Sequence, residues 1–180
     1  MQCALEKQVK NSLERLGVKP GSWVGIAVSG GVDSMTLLHC LCNLRAEMNL
    51  EITAYHMEHG IRAESEDDMR FVMAQCEKRG VRCVVERADV PQLTVERRVS
   101  IETAARDARY AFLDAQDVDF MATAHQMDDV AETVLLNLIR GSGLAGLTGI
   151  PEQRGKYIRP LLQVSRREIE AYARENGIEH

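Results

Sequence analysis

Short apolar runs alternate with amphipathic stretches along almost the whole chain, and this alternation restricts the fold more than any other feature. Residues 23–28 are a compact apolar run, the mark of a strand buried on both faces. A Ser-Gly-Gly turn follows, then a helix with Leu37, Leu38, Leu41 and Leu44 on one side. Residues 52–57 predict a second strand. Residues 65–79 predict a helix from Met69, Val72, Met73 and Cys76 at i, i+3, i+4 and i+7, with Gly80 as its stop. Residues 81–85 give a third strand. Ser100 caps a helix that carries Ile101, Ala105, Ala108 and Phe112 on one face. Residues 120–124 give a fourth strand, and 128–140 a helix stopped by Gly141. Residues 157–161 predict a fifth strand, and Ser165 with Glu168 forms a capping box for a last helix ending at Gly177.

Strands separated by helices require crossover connections, so the expected fold class is α/β: a doubly wound, mostly parallel five-stranded sheet with helices on both faces. At 180 residues the chain suits one domain over 1–180. Aromatic residues are only 4% of it, so the core must rest on Val, Ile, Leu, Met and Ala. No apolar run approaches the roughly 20 residues of a membrane span. Glu6, Lys7, Lys10, Glu14 and Arg15 break up the N-terminal segment as no leader-peptide core would allow, so the expected location is cytoplasmic. The five cysteines are scattered and form no Cys-x-x-Cys pair, as expected of reduced thiols. A formal charge of −5 argues against a long nucleic-acid footprint on this chain, so any RNA contact must be local.

Ser29-Gly30-Gly31-Val32-Asp33-Ser34 joins the first strand to the first long helix, where open α/β sheets bind ligands. Two glycines let the backbone turn sharply and aim its amide N–H groups outward. The helix N-terminus adds partial positive charge, so a phosphate is held without a cationic side chain. Ser29 and Ser34 add hydroxyls, and Asp33 makes sense beside phosphate if it serves Mg2+. No Gly-Lys-Ser/Thr follows, so the loop is not a Walker A, and Gly-x-Gly-x-x-Gly is absent. The plainer reading is a tight turn with Asp33 or Ser34 as helix cap.

The loop closely resembles the signature of the PP-loop ATP pyrophosphatases, which cleave ATP between the α and β phosphates. Further segments narrow the resemblance: His56-Met57-Glu58-His59-Gly60-Ile61-Arg62; Ser100-Ile101-Glu102 through Arg106, Arg109 and Tyr110; Thr123-Ala124-His125-Gln126-Met127-Asp128-Asp129 through Glu132 and Thr133; Arg140-Gly141-Ser142-Gly143-Leu144-Ala145-Gly146-Leu147; and Arg159-Pro160-Leu161-Leu162. In this order they are similar to the tRNA(Ile)-lysidine synthases. Glu58 and Gln126 depart from that family's usual residues. The resemblance also implies tRNA-gripping domains beyond the last helix, so 1–180 is expected to be a catalytic domain only.

Asp128, Asp129 and Glu132 crowd the first turn of one helix beyond a strand end, where they suit Mg2+ or an ammonium group; helix capping is the alternative. His125 can orient an oxygen or carry a proton near neutral pH. His56 and His59 lack a third metal ligand at recognisable spacing. The glycine-rich residues 141–155 read either as a loop beside the site or as a helix cap and compact turn. A basic cluster of Arg154, Lys156, Arg159, Arg166 and Arg167 has Glu168 and Glu170 interleaved, which weakens it as an RNA contact.

What the resemblance implies is a ligase that uses ATP with Mg2+ in two steps. The C2 oxygen of the wobble cytidine in tRNA(Ile) attacks the α-phosphorus and expels pyrophosphate; the ε-amine of L-lysine then displaces AMP. It implies that Gly30, Gly31 and Ser34 hold pyrophosphate, with Ser29 and Val32 in the same loop. Asp33 and Asp129 would hold the metal, and Arg106 would meet the developing charge. Asp128 or Glu132 would receive lysine. Two rivals stay in view. A 2-thiocytidine-type thiolase needs paired cysteines, whereas Cys40 and Cys42 point roughly 200° apart on a helix. A non-catalytic ATP-binding module would gain only repulsion from the crowded carboxylates. Monomer and homodimer both remain open.

Overall fold

β1 (Trp23–Ala27) is flanked by strands on both sides and covered on both faces, as its unbroken apolar run requires. The computed structural model describes residues 3–60, 65–141 and 148–180. Around β1 the elements run α1 (Ala4–Arg15), α2 (Val32–Leu44), β2 (Glu51–Glu58), α3 (Ser65–Lys78), β3 (Arg82–Arg87), α4 (Val90–Arg97), α5 (Ile101–Asp114), β4 (Phe120–Ala122), α6 (Met127–Ile139), β5 (Gln153–Arg154), β6 (Tyr157–Ile158) and α7 (Arg166–Glu175). The sheet order is β3-β2-β1-β4-β6-β5. All pairings are parallel except β5 with β6.

Side chains alternate across β1, and each set meets its own layer. Val24 and Ile26, with Ile52 and Ala54 of β2, join one cluster with Leu5, Val9 and Leu13 of α1 and the leucines of α2. Val72 and Cys76 of α3 and Ile169 and Tyr172 of α7 complete it. Trp23 and Ala27 face the other way, toward Tyr55, Met57, Met121, and Phe112 and Leu113 of α5. Gly25 on that face has no Cβ because one would stand 2.9 Å from both the Met121 methyl and the Tyr55 ring. The expectation of a doubly wound α/β sheet with helices on both faces therefore holds.

Four differences from the expectation have local causes. The sheet has six strands, because the chain forms a two-residue hairpin, β5 to β6, through Gly155 at φ +58°. Strands of two residues are too short to show a period. α1 buries Leu5, Val9 and Leu13, an i, i+4, i+8 stripe, although the N-terminal segment invited attention only as a possible leader. α4 is opened by Asp89, whose carboxylate accepts from the Gln92 N–H at 2.9 Å. On α5 the buried stripe is Ala104, Phe112 and Leu113, and Ile101 is exposed.

The anticipated caps are present. Ser100 accepts from the Thr103 N–H at 3.2 Å, and Ser165 with Glu168 closes a capping box on α7. Gly80, Gly141 and Gly177 all have positive φ just beyond helix ends, as glycines that stop helices do. The anticipated loop over 141–155 falls partly outside the described residues, as does Arg62. Among the described residues, no helix is long and apolar enough to cross a membrane.

Candidate functional site

The crossover through α2 carries the chain from β1 to β2 on one side, while β4 pairs on the other side of β1. The loops leaving β1 and β4 therefore diverge, and a crevice opens between them at the carboxyl ends of the strands. A cavity of about 260 Å³ occupies that crevice. Its lining draws on the segment after β1, the end of β2, α5, the segment after β4, and Arg166 at the start of α7.

Five of the six loop residues line it: Ser29, Gly31, Val32, Asp33 and Ser34. Gly30 supplies the turn, at φ +92°, a conformation unfavourable for a side chain. The Ser34 hydroxyl ties the loop together: it accepts from the Ser29 N–H at 3.1 Å and donates to the Gly31 carbonyl at 3.0 Å. It is also 3.1 Å from the Ser29 hydroxyl. Gly31 is the N-cap of α2 and provides no capping side chain. The first-turn N–H groups of a helix lack intrahelical partners, so α2 presents an uncapped positive end to the cavity.

Asp33 stands in the first turn of α2. Its Oδ2 accepts from Arg166 Nη1 at 3.0 Å, and its Oδ1 is buried with no hydrogen-bond partner. Burial pushes its carboxyl above the usual carboxylate range; the Arg166 guanidinium opposes this, and Asp129, Glu170 and Asp128 add to it. Asp129 lines the same cavity from α6, where its Oδ2 accepts from the Gln126 N–H at 2.8 Å. Capping and site geometry thus coincide in Asp129. Asp128 and Glu132 are exposed and lie outside the cavity lining.

His125 follows β4, its Nδ1 3.0 Å from the Thr123 hydroxyl. Burial first, then the Arg159 charge, push its imidazole down to about 4, with Arg109 and Arg106 adding and Asp129 opposing. The ring is neutral at pH 7 and serves as a hydrogen-bonding group there. Arg159 is itself buried, donating from Nη1 to the Pro151 carbonyl at 2.7 Å, and its Nε has no partner. Arg159 is therefore an interior residue, and the basic cluster anticipated around it is not one surface patch.

The wall remote from the loop is apolar, formed by Ala27, Tyr55, Met57, Phe112 and Leu113, with His59 and Arg109 at its edge. Of the two α5 arginines, Arg109 lines the cavity. Arg106 is exposed, its guanidinium 5.0 Å from the Tyr110 ring centroid and outside the lining. The residue favoured in sequence is thus the one farther from the cavity. His56 is buried with Nδ1 2.9 Å from the Val28 carbonyl, a packing role, and among the described residues no metal-binding group includes it or His59.

Sequence alone assigned no place in this cavity to four features: Arg166 at the loop, Thr123 behind His125, the apolar wall, and His59. Arg166 is 133 positions from Asp33, and only the return of the chain through β6 brings them together.

Among the described residues, no three His, Cys, Asp or Glu side chains converge on a point that could hold a metal ion. Asp33 and Asp129 alone suit a cation that completes its shell with phosphate oxygens and water, as Mg2+ does. The unpartnered Asp33 Oδ1 is compatible with that role.

An open parallel sheet with an uncapped helix N-terminus and a glycine turn at its switch point defines a phosphate-binding α/β domain. The chain belongs to the PP-loop domain family, which it matches over residues 1–180. It is 44% identical over 163 residues to a tRNA(Ile)-lysidine synthase of Pseudothermotoga lettingae, covering 88% of this chain and 36% of that protein. It is 40% identical over 182 residues to one of Thermosipho africanus, covering 99% and 43%. The chain therefore spans about two fifths of the length of these relatives. Among solved structures it resembles a U34-tRNA thiolase of Methanococcus maripaludis with a [4Fe-4S] cluster. The TM-score is 0.76 at 21% identity, covering 98% of this chain and 64% of that one. It also resembles an NH3-dependent NAD synthetase of Campylobacter jejuni, with a TM-score of 0.65 at 14% identity, covering 96% and 72%. At such identities the likeness shows the fold alone.

Proposed function

We propose that this chain is the ATP-dependent catalytic domain of a tRNA(Ile)-lysidine synthase. The observation that carries the reading is the placement of Asp33 and Asp129 beside the uncapped α2 N-terminus, within one cavity that also has an apolar wall. The relatives' identity and name support it.

The α2 N-terminus and the Ser29–Ser34 loop hold the polyphosphate end of ATP, and the apolar wall of Tyr55, Met57, Phe112 and Leu113 excludes water from the rest of the cavity. Asp33 and Asp129 hold Mg2+, which when bound neutralises charge on the phosphates. The C2 oxygen of the wobble cytidine in tRNA(Ile) attacks the α-phosphorus and pyrophosphate leaves. The L-lysine amine then attacks C2 and expels AMP. Arg109 is placed to meet negative charge developing at the α-phosphate, and neutral His125 to hydrogen-bond a reacting oxygen. Asp128 and Glu132, on the exposed side of α6, are the lysine ammonium acceptors in this reading. The chain's work is positioning and charge stabilisation, with no covalent intermediate on a side chain. None of the five cysteines lines the cavity, which favours the lysidine reading over the thiolase one.

The test combines the protein, Mg-ATP, labelled lysine and a tRNA(Ile) transcript with its wobble cytidine, following pyrophosphate and tRNA-bound label together. Release of both, lost together in Asp129→Ala, is expected. ATP binding without pyrophosphate release, in this chain and in a full-length relative assayed in parallel, would sink the reading.

A further inference from the structure

Among the described residues, Arg166 is the one lining arginine on the phosphate-loop side of the cavity, since Arg109 comes from α5 on the opposite face of the sheet. The loop itself, Ser29 to Ser34, contains no cation. Yet the leaving group of an ATP pyrophosphatase is a multiply charged anion, and helix-terminal amides offset only part of that charge. Arg166 is half-exposed, so its side chain has room to move. Its Nε donates to Glu170 one turn along at 3.0 Å, which leaves the far end of the guanidinium to Asp33. Asp33 is also a carboxylate the cation needs: its Oδ1 is open, but a guanidinium held on Oδ2 opposes a second positive charge at the same group.

We propose that Arg166 is a pyrophosphate-binding residue that doubles as the resting partner of Asp33. When Mg-ATP enters, the guanidinium exchanges the Asp33 carboxylate for the β- and γ-phosphate oxygens, and Asp33 is released to the cation. This inference rests on the ATP reading above. Its chemistry is ordinary exchange between two anions, since guanidinium binds carboxylate and phosphate in the same forked geometry. The exchange makes metal and polyphosphate binding mutually supporting: each removes what hinders the other. It also assigns α7 a task beyond packing, because the helix that docks on α2 through Ile169 and Tyr172 carries the anion partner at its first turn.

A purely structural ion pair between α2 and α7 predicts something different. Its loss would lower the melting temperature and weaken every ligand together. The exchange instead predicts two opposite changes in Arg166→Met. Pyrophosphate binding with Mg2+, measured by titration calorimetry, should weaken at least tenfold. Mn2+ binding without nucleotide, measured by electron paramagnetic resonance, should tighten about threefold or more, because Asp33 is no longer occupied. AMP binding, at the other end of the cavity, should stay within twofold and reports that the fold is intact. Arg166→Lys, which keeps the charge but not the fork, should fall between wild type and Arg166→Met on both scales. Unchanged pyrophosphate affinity in Arg166→Met, or parallel weakening of pyrophosphate, Mn2+ and AMP, overturns the exchange. A wild-type protein that binds neither Mg-ATP nor pyrophosphate overturns the ATP reading itself, and the exchange with it.

Discussion

The Thr123 hydroxyl lies 3.0 Å from His125 Nδ1, at the point where the chain leaves β4 and enters the cavity. The contact fixes the ring's orientation while burial and Arg159 keep it neutral, down to about 4. In the unfolded chain the same ring titrates near its ordinary value of about 6.5. Between those two values the unfolded state binds more protons than the folded one, so stability falls as pH falls. His125 alone contributes a slope approaching about 1.4 kcal/mol per pH unit in that window. Urea unfolding at pH 7.5 and pH 5 should show wild type losing more stability than His125→Gln. Equal losses would mean the ring is not held neutral by its surroundings.

Asp129 combines two roles that substitutions can separate. Its carboxylate closes the α6 capping box on the Gln126 N–H, and it lines the cavity opposite Asp33. Asparagine keeps an acceptor oxygen and loses the charge. Asp129→Asn should therefore melt close to wild type, whereas Asp129→Ala should lose about 1 kcal/mol through the cap. Metal binding assisted by pyrophosphate, followed with Mn2+, should weaken by at least tenfold in both. If asparagine binds Mn2+ as wild type does, the carboxylate is a helix cap and nothing more.

Much of this architecture was legible in sequence, and the exceptions share a cause. Apolar runs and helical stripes placed β1 to β4, α2, α3 and α5, because burial imposes its period on the residues that bear it, while cap and stop residues placed α6 and α7. Two-residue β5 has no period to impose, and the eight residues of α4, opened by the Asp89 cap, were given no element in sequence. The cavity-lining places of Ser29, Gly31 to Ser34 and Asp129 follow from local sequence, which builds a turn and a helix end there. That of Arg166 does not, since nothing near position 166 announces that α7 returns beside α2. Which of Arg106 and Arg109 lines the cavity depends on how α5 is rolled against the sheet, and its buried stripe is Ala104, Phe112 and Leu113 with Ile101 exposed.

Gly25 is a packing requirement at the heart of β1. It pairs with Met121 across the β1–β4 ladder, and an added methyl would stand 2.9 Å from the Met121 methyl and from the Tyr55 ring. Met121 can bend, but the buried Tyr55 ring packs edge-on against Phe112 at 6.0 Å and has little room to yield. Gly25→Ala should therefore destabilise the fold by about 1–3 kcal/mol, the usual cost of overpacking a filled core. Denaturant unfolding measures it directly. In a double-mutant cycle with Met121→Ala, Gly25→Ala should cost less than it does in the wild-type chain, and an undiminished cost would place the clash on Tyr55 alone.

The two α5 arginines provide the sharpest comparison, because they share a helix, an aromatic neighbour and a charge. Arg106 lies 5.0 Å and Arg109 5.6 Å from the Tyr110 ring centroid, yet only Arg109 lines the cavity. Removing either loses a cation–π contact worth about 0.5–1 kcal/mol at an exposed site, so their effects on stability should be alike. Their effects on the reaction should not be. If Arg109 stabilises charge on the α-phosphate, Arg109→Met should lower the rate of pyrophosphate release by one hundredfold or more with ATP affinity changed less. Losses of that size follow removal of a donor aimed at a transition-state oxygen. Arg106→Met should fall within about tenfold of wild type, an effect of charge felt from outside the cavity. Single-turnover pyrophosphate release under saturating ATP separates the two variants, and the reverse order would require α5 to turn on binding so that Arg106 enters the cavity in place of Arg109.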